Sequence, residues 1–389
     1  MSFDVRDFSE VPPEDKASGP RNRRWVSTWL FVMCALLWVM IVLGGATRLT
    51  GSGLSIMEWA PLMGALPPLS GAEWQRLFAL YKTIPQYGLL NPDMDLVGFK
   101  RIFWLEWTHR SWGRMLGLAF VVPLIWFWAI GWIAPRVRWR LLGILVLGGL
   151  QAAVGWIMVA SGFMPDSVAV SPYRLVAHLA LALLLYAAVF WTGLQVWRPL
   201  PVVGLAYRGL RALVGVCVAL LALTLLAGGF VAGLRAGFDY NSFPLMDGRL
   251  IPAGYARLEP MLRNLTENIA AVQFNHRLLA SLALLGAGAV CAGAWFVPRQ
   301  HPARLAMVAF GVLTALQYMI GVMTLLLVVP VDMGVLHQSM AVIVLSVALA
   351  ALHALRPPPF LVTAIPDAAP GGNGMLARAA PRTDMRVGS

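Results

Sequence analysis

Charge is scarce in this chain: Asp, Glu, Lys and Arg make up 12% of its 389 residues, against 59% hydrophobic ones. An ordinary soluble domain carries about a quarter charged residues, so composition and a mean hydropathy of +0.71 exclude that class and indicate a membrane protein. Acidic residues are scarcer than basic ones, 18 against 30, for a net charge of +12. The excess does not indicate nucleic-acid binding, because the basic residues lie between apolar segments, where they act as topology signals. Cysteine is nearly absent: Cys34, Cys217 and Cys291 all fall in apolar segments, which excludes a disulfide framework and any CxxC motif. The first twenty residues hold Asp4, Asp7, Glu10, Glu14 and Asp15, too acidic for a transit or signal peptide, so an uncleaved cytosolic tail is expected.

Eight segments are long enough to cross a hydrocarbon core of about 30 Å: near 25–47, 107–133, 140–161, 173–197, 209–233, 270–297, 303–329 and 334–355. The expected fold is an all-α polytopic membrane protein. Arg21, Arg23, Arg24, then Arg136, Arg138, Arg140, then Arg198, Arg208, Arg211, then Arg299, Arg304 and finally Arg356 fall on one side, so both termini are expected to be cytoplasmic. The outer connections, 48–106 and 234–269, are longer, with space for an interfacial helix at 72–82. A Pro-, Gly- and Ala-rich segment from 357 to 389 shows no apolar period and is expected to be a disordered tail, like residues 1–24.

The chain repeats itself. Leu150-Gln151 to Gly155 matches Leu316-Gln317 to Gly321, Gly44-Gly45 matches Gly228-Gly229 with Arg48 and Arg235 following, and His109 and His178 match His276 and His337. Four crossings return the chain to its starting side, so the expected domains are two tandem four-helix bundles, 25–200 and 201–356. The four repeated histidines lie near the outer ends of alternate helices, where ionisable groups are costly and usually functional. In such a bundle the second and fourth helices are diagonal, with axes roughly 12–14 Å apart, which suits two imidazoles on one haem iron. Zinc would need three or four close ligands, and soft copper sites would recruit Cys or Met. The glycines would let a flat macrocycle approach the backbone, and helix packing explains them equally well. Arg174, one turn outward of His178, and Arg48 and Arg235 are candidates for haem propionates or for interfacial snorkelling. Gln151 and Gln317 are candidate interhelical hydrogen-bond partners, and His301 and His353 read as surface residues.

One difference breaks the repeat. Glu106 stands three residues before His109, on the same helix face, whereas Gln273 stands before His276. A carboxylate exchanges protons and offsets a developing cation, which an amide cannot do, so chemistry is expected in the first half.

The stretch Gly44-Gly45-Ala46-Thr47-Arg48-Leu49-Thr50-Gly51-Ser52-Gly53-Leu54-Ser55, with Trp59 and Pro61, then Glu106-Trp107-Thr108-His109-Arg110, Asn275-His276-Arg277 and His337-Gln338, resembles the haem A synthases of the Cox15/CtaA family. The likeness covers about residues 25–355, and the cysteine-free outer loop resembles the proteobacterial and mitochondrial branch. It implies an inner-membrane enzyme oxidising the C8 methyl of haem O to the formyl group of haem A for cytochrome oxidase. It also implies that His109 and His178 flank the substrate haem O, that His276 and His337 hold haem b, and that Glu106 takes part in catalysis, with the haem sites toward the periplasm. Implied partners are haem O synthase, cytochrome oxidase assembly proteins and an electron donor; a homo-oligomer stays open. The alternatives are a dihaem electron carrier and a haem delivery protein without chemistry.

Overall fold

A computed structural model describes residues 19–59, 63–199 and 207–357. Its helices are α1 (Pro20–Leu49), α2 (Gly71–Tyr81), α3 (Pro85–Leu90), α4 (Leu96–Ala129), α5 (Pro135–Ala160), α6 (Pro172–Trp197), α7 (Arg208–Gly233), α8 (Asn264–Glu267), α9 (Ile269–Gly293), α10 (Pro302–Leu326) and α11 (Val331–Ala354). Eight of them, all but α2, α3 and α8, are long and apolar enough to cross a membrane, so the chain is a multi-pass helical membrane protein. Among the described residues no strand forms. Proline opens α1, α5, α6 and α10, where its missing N–H costs nothing. The expected tails at 1–18 and 358–389 lie outside the described residues, and α1 already starts at Pro20.

Helix α1 packs on α4 and α6, and α5 on α4 and α6; α7 packs on α9 and α11, and α10 on α9 and α11. Between these two sets, α1 and α6 meet α11, and α6 meets α7. Small residues let that seam close. A Cβ on Gly45 would fall 2.6 Å from Oε1 of Gln338 on α11, and one on Gly229 would fall 3.1 Å from Val176 and Leu179 on α6. These two glycines therefore serve the seam, and the expectation that they clear space for a macrocycle is corrected. Polar bonds cross the same seam: Gln338 Nε2 donates to Ile41 O (2.8 Å), Trp38 Nε1 to Ser339 O (2.9 Å), and the Tyr186 and Ser346 hydroxyls lie 2.7 Å apart.

The outer segment between α1 and α4 builds its own small core. Trp74, Phe78 and Tyr81 of α2 pack with Leu54, Phe99 and Phe103. Ser70 caps α2 by accepting from Glu73 N (3.2 Å). On its exposed face Arg76 bridges Glu58 and Glu73, each at 2.8 Å.

Overpacking the seam should destabilise the chain. Gly45→Leu is expected to cost roughly 1–3 kcal/mol and lower the thermal unfolding midpoint in detergent. Gly143→Leu, where a Cβ meets nothing within 4 Å, leaves it nearly unchanged. A second expectation concerns pH. Hydrogen bonds from Arg76 hold the Glu58 and Glu73 carboxyls below their usual 4.5. Groups so lowered stabilise the fold above that value and lose the contribution as pH falls through the lowered range. Amide exchange in α2, referenced to an unstructured peptide, should quicken on acidification from pH 5 to about 3, and Arg76→Gln should remove the difference.

Candidate functional site

Helix α4 starts at Leu96, well outward of the expected 107, because Asp95 caps it by accepting from Gly98 N (2.8 Å). Glu106 and His109 thus sit in the body of the helix, and Glu106 is no N-terminal dipole charge. Glu106 is 3% exposed, and its side chain's single hydrogen-bond partner among the described residues is Arg110, whose Nε lies 2.7 Å from Oε1. Arg110 also donates through Nη2 to Ile56 O (2.7 Å) and through Nη1 to Glu58 O (3.2 Å).

The second half repeats this latch. Arg277 donates to Gln273 Oε1 (2.7 Å), Tyr240 O (2.6 Å) and Ser242 O (2.9 Å). Residues 240 and 242 stand to 56 and 58 as Gly228 stands to Gly44, each 184 positions on, so the repeat extends into loops of unlike sequence. The two latches differ in one respect. Gln273 Nε2 donates to Ala236 O (2.7 Å) and Asp239 O (2.5 Å), tying down the turn above it. A carboxylate has no such donor. Gln273 is committed to structure, while Glu106 presents a buried acid held only by Arg110.

Each of the four repeated histidines lies against a glycine of a neighbouring helix. A Cβ would fall 3.2 Å from His109 Nε2 at Gly44, 2.8 Å from His178 Cε1 at Gly155, 3.0 Å from His276 Cε1 at Gly228 and 2.7 Å from His337 Cε1 at Gly321. His276 and His337 face each other with ring centroids 6.5 Å apart, at 88°. Two imidazoles sharing one metal at bonds of about 2 Å have centres roughly 6 Å apart, so this pair fits a bis-histidine haem iron. The Nδ1 of His276 lies 3.1 Å from Thr224 O, which directs its Nε2 to a ligand. Gln317 Nε2 lies 3.1 Å from His337 Nδ1, and Gln151 Nε2 lies 3.3 Å from His178 Nε2, so both glutamines are interhelical partners of histidines. His178 Nδ1 is buried without a partner, and His178 is near enough to His109 to interact electrostatically. Among the described residues no group of three or more His, Cys, Asp or Glu converges, which leaves two-ligand sites and disfavours zinc.

The arginines divide. Arg48 Nη2 donates to Ala232 O (2.7 Å) and Gly233 O (3.2 Å) at the end of α7, and its Nε is buried and unpartnered. Arg235 is exposed, in the left-handed region at φ 55°, as is Gly51 at φ 69°. The repeat register pairs Arg235 with Gly51 and Arg48 with Ala232, so the two arginines are not equivalents, although they are close enough to repel each other. Exposed Arg174 donates to Ile157 O (2.8 Å). His353 departs from expectation: it is 4% exposed and edge-on to Trp191 at 5.3 Å, because the last turn of α11 docks on α6. His301 caps α10 by accepting from Ala303 N (3.2 Å). Pro61 lies outside the described residues. The most evident cavities lie elsewhere, one at the ends of α7 and α11 and one over residues 239–270, and the four histidines line neither.

The eight spans make this a multi-pass helical membrane protein in architecture, with one facing histidine pair, His276 and His337, and a second, His109 and His178, within electrostatic reach of each other. Residues 27–349 match the sequence profile of the cytochrome oxidase assembly protein family COX15-CtaA. The chain is also 56% identical over 336 residues to the heme A synthase of Granulibacter bethesdensis, covering 86% of this chain and 88% of that one. It is 45% identical over 348 residues to heme A synthase 2 of Acidiphilium cryptum (88% and 95%) and 45% identical over 334 residues to the heme A synthase of Nitrosospira multiformis (85% and 93%). The chain belongs to the COX15-CtaA family.

Gly321→Val should push His337 off its seat. Purified protein is then expected to lose the haem of one centre and keep the other, read by haem-to-protein ratio, whereas Gly148→Val, with nothing within 4 Å, keeps both.

Proposed function

We propose that this chain is a haem A synthase of the bacterial inner membrane, oxidising the C8 methyl of haem O to the formyl group of haem A for cytochrome oxidase. The helix contacts and the relatives' name support this reading. The observation that carries it is the unequal latch: a buried carboxylate, Glu106, where the other half has the structurally committed amide of Gln273.

On this reading the two sets of helices are tandem bundles, 25–200 and 201–356. His109 and His178 hold the substrate haem O, and His276 and His337 hold haem b. When bound, haem b supplies one-electron transfer. Arg110 fixes the Glu106 carboxylate by one strong charge-assisted bond and leaves its second oxygen free. That oxygen takes up a proton from the substrate or offsets positive charge that develops on it. Gly44 and Gly155 let the two imidazoles lie close to backbone, which limits their freedom to tilt. Arg48 and Arg235, which repel each other and make no ion pair among the described residues, and Arg174 bind propionates. The arginine-rich end is cytoplasmic, with both termini, and the histidines lie toward the periplasm. Haem O synthase, assembly proteins of the oxidase and an electron donor are its partners.

The test is extraction and chromatography of haem from membranes of cells that supply haem O. Wild type is expected to yield haem A, and Glu106→Gln to leave haem O unconverted with haem b retained. Full conversion by Glu106→Gln would contradict the role of the carboxylate, and no haem A from wild type would sink the enzyme reading in favour of a carrier. Arg110→Gln is expected to lower conversion by about 10- to 100-fold, as misplacing a reacting group by an ångström does.

A further inference from the structure

The cavity at the ends of α7 and α11 is lined by Tyr207, Arg208, Arg211, Leu352, Leu355 and Pro357, and none of the four repeated histidines lines it; His301 packs edge-on against Tyr207. We propose that it binds the headgroup of an anionic phospholipid, with Arg208 and Arg211 on the phosphate and Leu352 and Leu355 against the first acyl carbons.

Position argues for a lipid. The cavity lies at the end of the helices where Trp139 at the start of α5, Trp197 at the end of α6 and Trp295 after α9 are 77%, 50% and 75% exposed. Exposed tryptophans at helix ends mark the headgroup level of a bilayer. Charge argues for an anion. No described Asp or Glu lies at this end; they lie in 58–106, at 166, in 239–267 and at 332, all in or beside the opposite loops. Among the described residues Arg208 and Arg211 make no ion pair. Arg356 spends its donors on His353 O (2.9 Å) and Arg198 O (2.8 Å), and is close enough to Arg211 to repel it. Like charges gathered at the headgroup level with no described carboxylate beside them are stabilised by a phosphate from outside. Topology requires arginines at this end but not their convergence on one apolar-floored cavity, and Arg136 and Arg138 satisfy topology without lining it.

The test is thermal unfolding of the full chain in mild detergent with added phosphatidylglycerol, phosphatidylcholine or inorganic phosphate, beside native mass spectrometry of the retained lipid. Phosphatidylglycerol is expected to raise the midpoint of wild type and of Arg136→Gln by several degrees, with the other two inert, and the retained lipid is expected to be anionic. Arg208→Gln/Arg211→Gln should lose most of the gain. An equal gain in the double variant, an equal shift with phosphatidylcholine or inorganic phosphate, or retention of only zwitterionic lipid on wild type would overturn the proposal. The last readout holds even if the double variant does not fold.

Discussion

Four imidazoles standing against bare backbone set the geometry on which the remainder depends. A ring can approach a neighbouring helix this closely only where that helix has no side chain, and Gly44, Gly155, Gly228 and Gly321 supply the four places. The requirement fixes which helices meet and at what depth. It also explains the doubled glycines. Successive residues on a helix point about 100° apart, so Gly44 faces His109 while Gly45 faces Gln338 across the seam, and Gly228 faces His276 while Gly229 faces α6. One pair of small residues thus serves a ligand site and the contact between the halves.

Above each histidine pair, an arginine one turn from a Glu or Gln binds two carbonyls of the loop over it. Arg110 and Arg277 make the same bonds to positions in the same register. The latch is therefore duplicated, with one residue changed. Gln273 completes its latch with two further bonds to the loop, whereas a carboxylate at the matching position has no N–H to give. A single Glu-to-Gln difference on a common frame separates an acid bonded to its arginine alone, among the described residues, from an amide consumed by structure.

Much of this was legible before any coordinates. The apolar runs gave the eight crossings, and the repeated His, Gln-x-x-x-Gly and Gly-Gly patterns gave the equivalences. The start of α4 was not legible, because Lys100 and Arg101 interrupt the apolar run in its outer turns, whose Phe99 and Phe103 pack on the loop core, and only the Asp95 cap betrays them. Pairing Arg48 with Arg235 misled because the halves differ in loop length: Gly228 lies 184 after Gly44, but His276 only 167 after His109 and His337 159 after His178. No single offset aligns the halves, so neighbouring arginines can look equivalent without being so. His353 reads as a surface residue from its place at the arginine-rich end of the chain's helices, while the fold turns it toward Trp191. The roles of Arg110 and Arg277 were hidden for another reason: their partners are backbone carbonyls, which leave no mark in a sequence.

The central claim is a division of labour between two histidine pairs. It is tested most directly by identifying the haem that stays bound to purified variants made in cells supplying haem O and haem b. The account predicts that His109→Ala loses haem O and keeps haem b, and that His337→Ala loses haem b and keeps haem O. Loss of the same haem from both variants would contradict it.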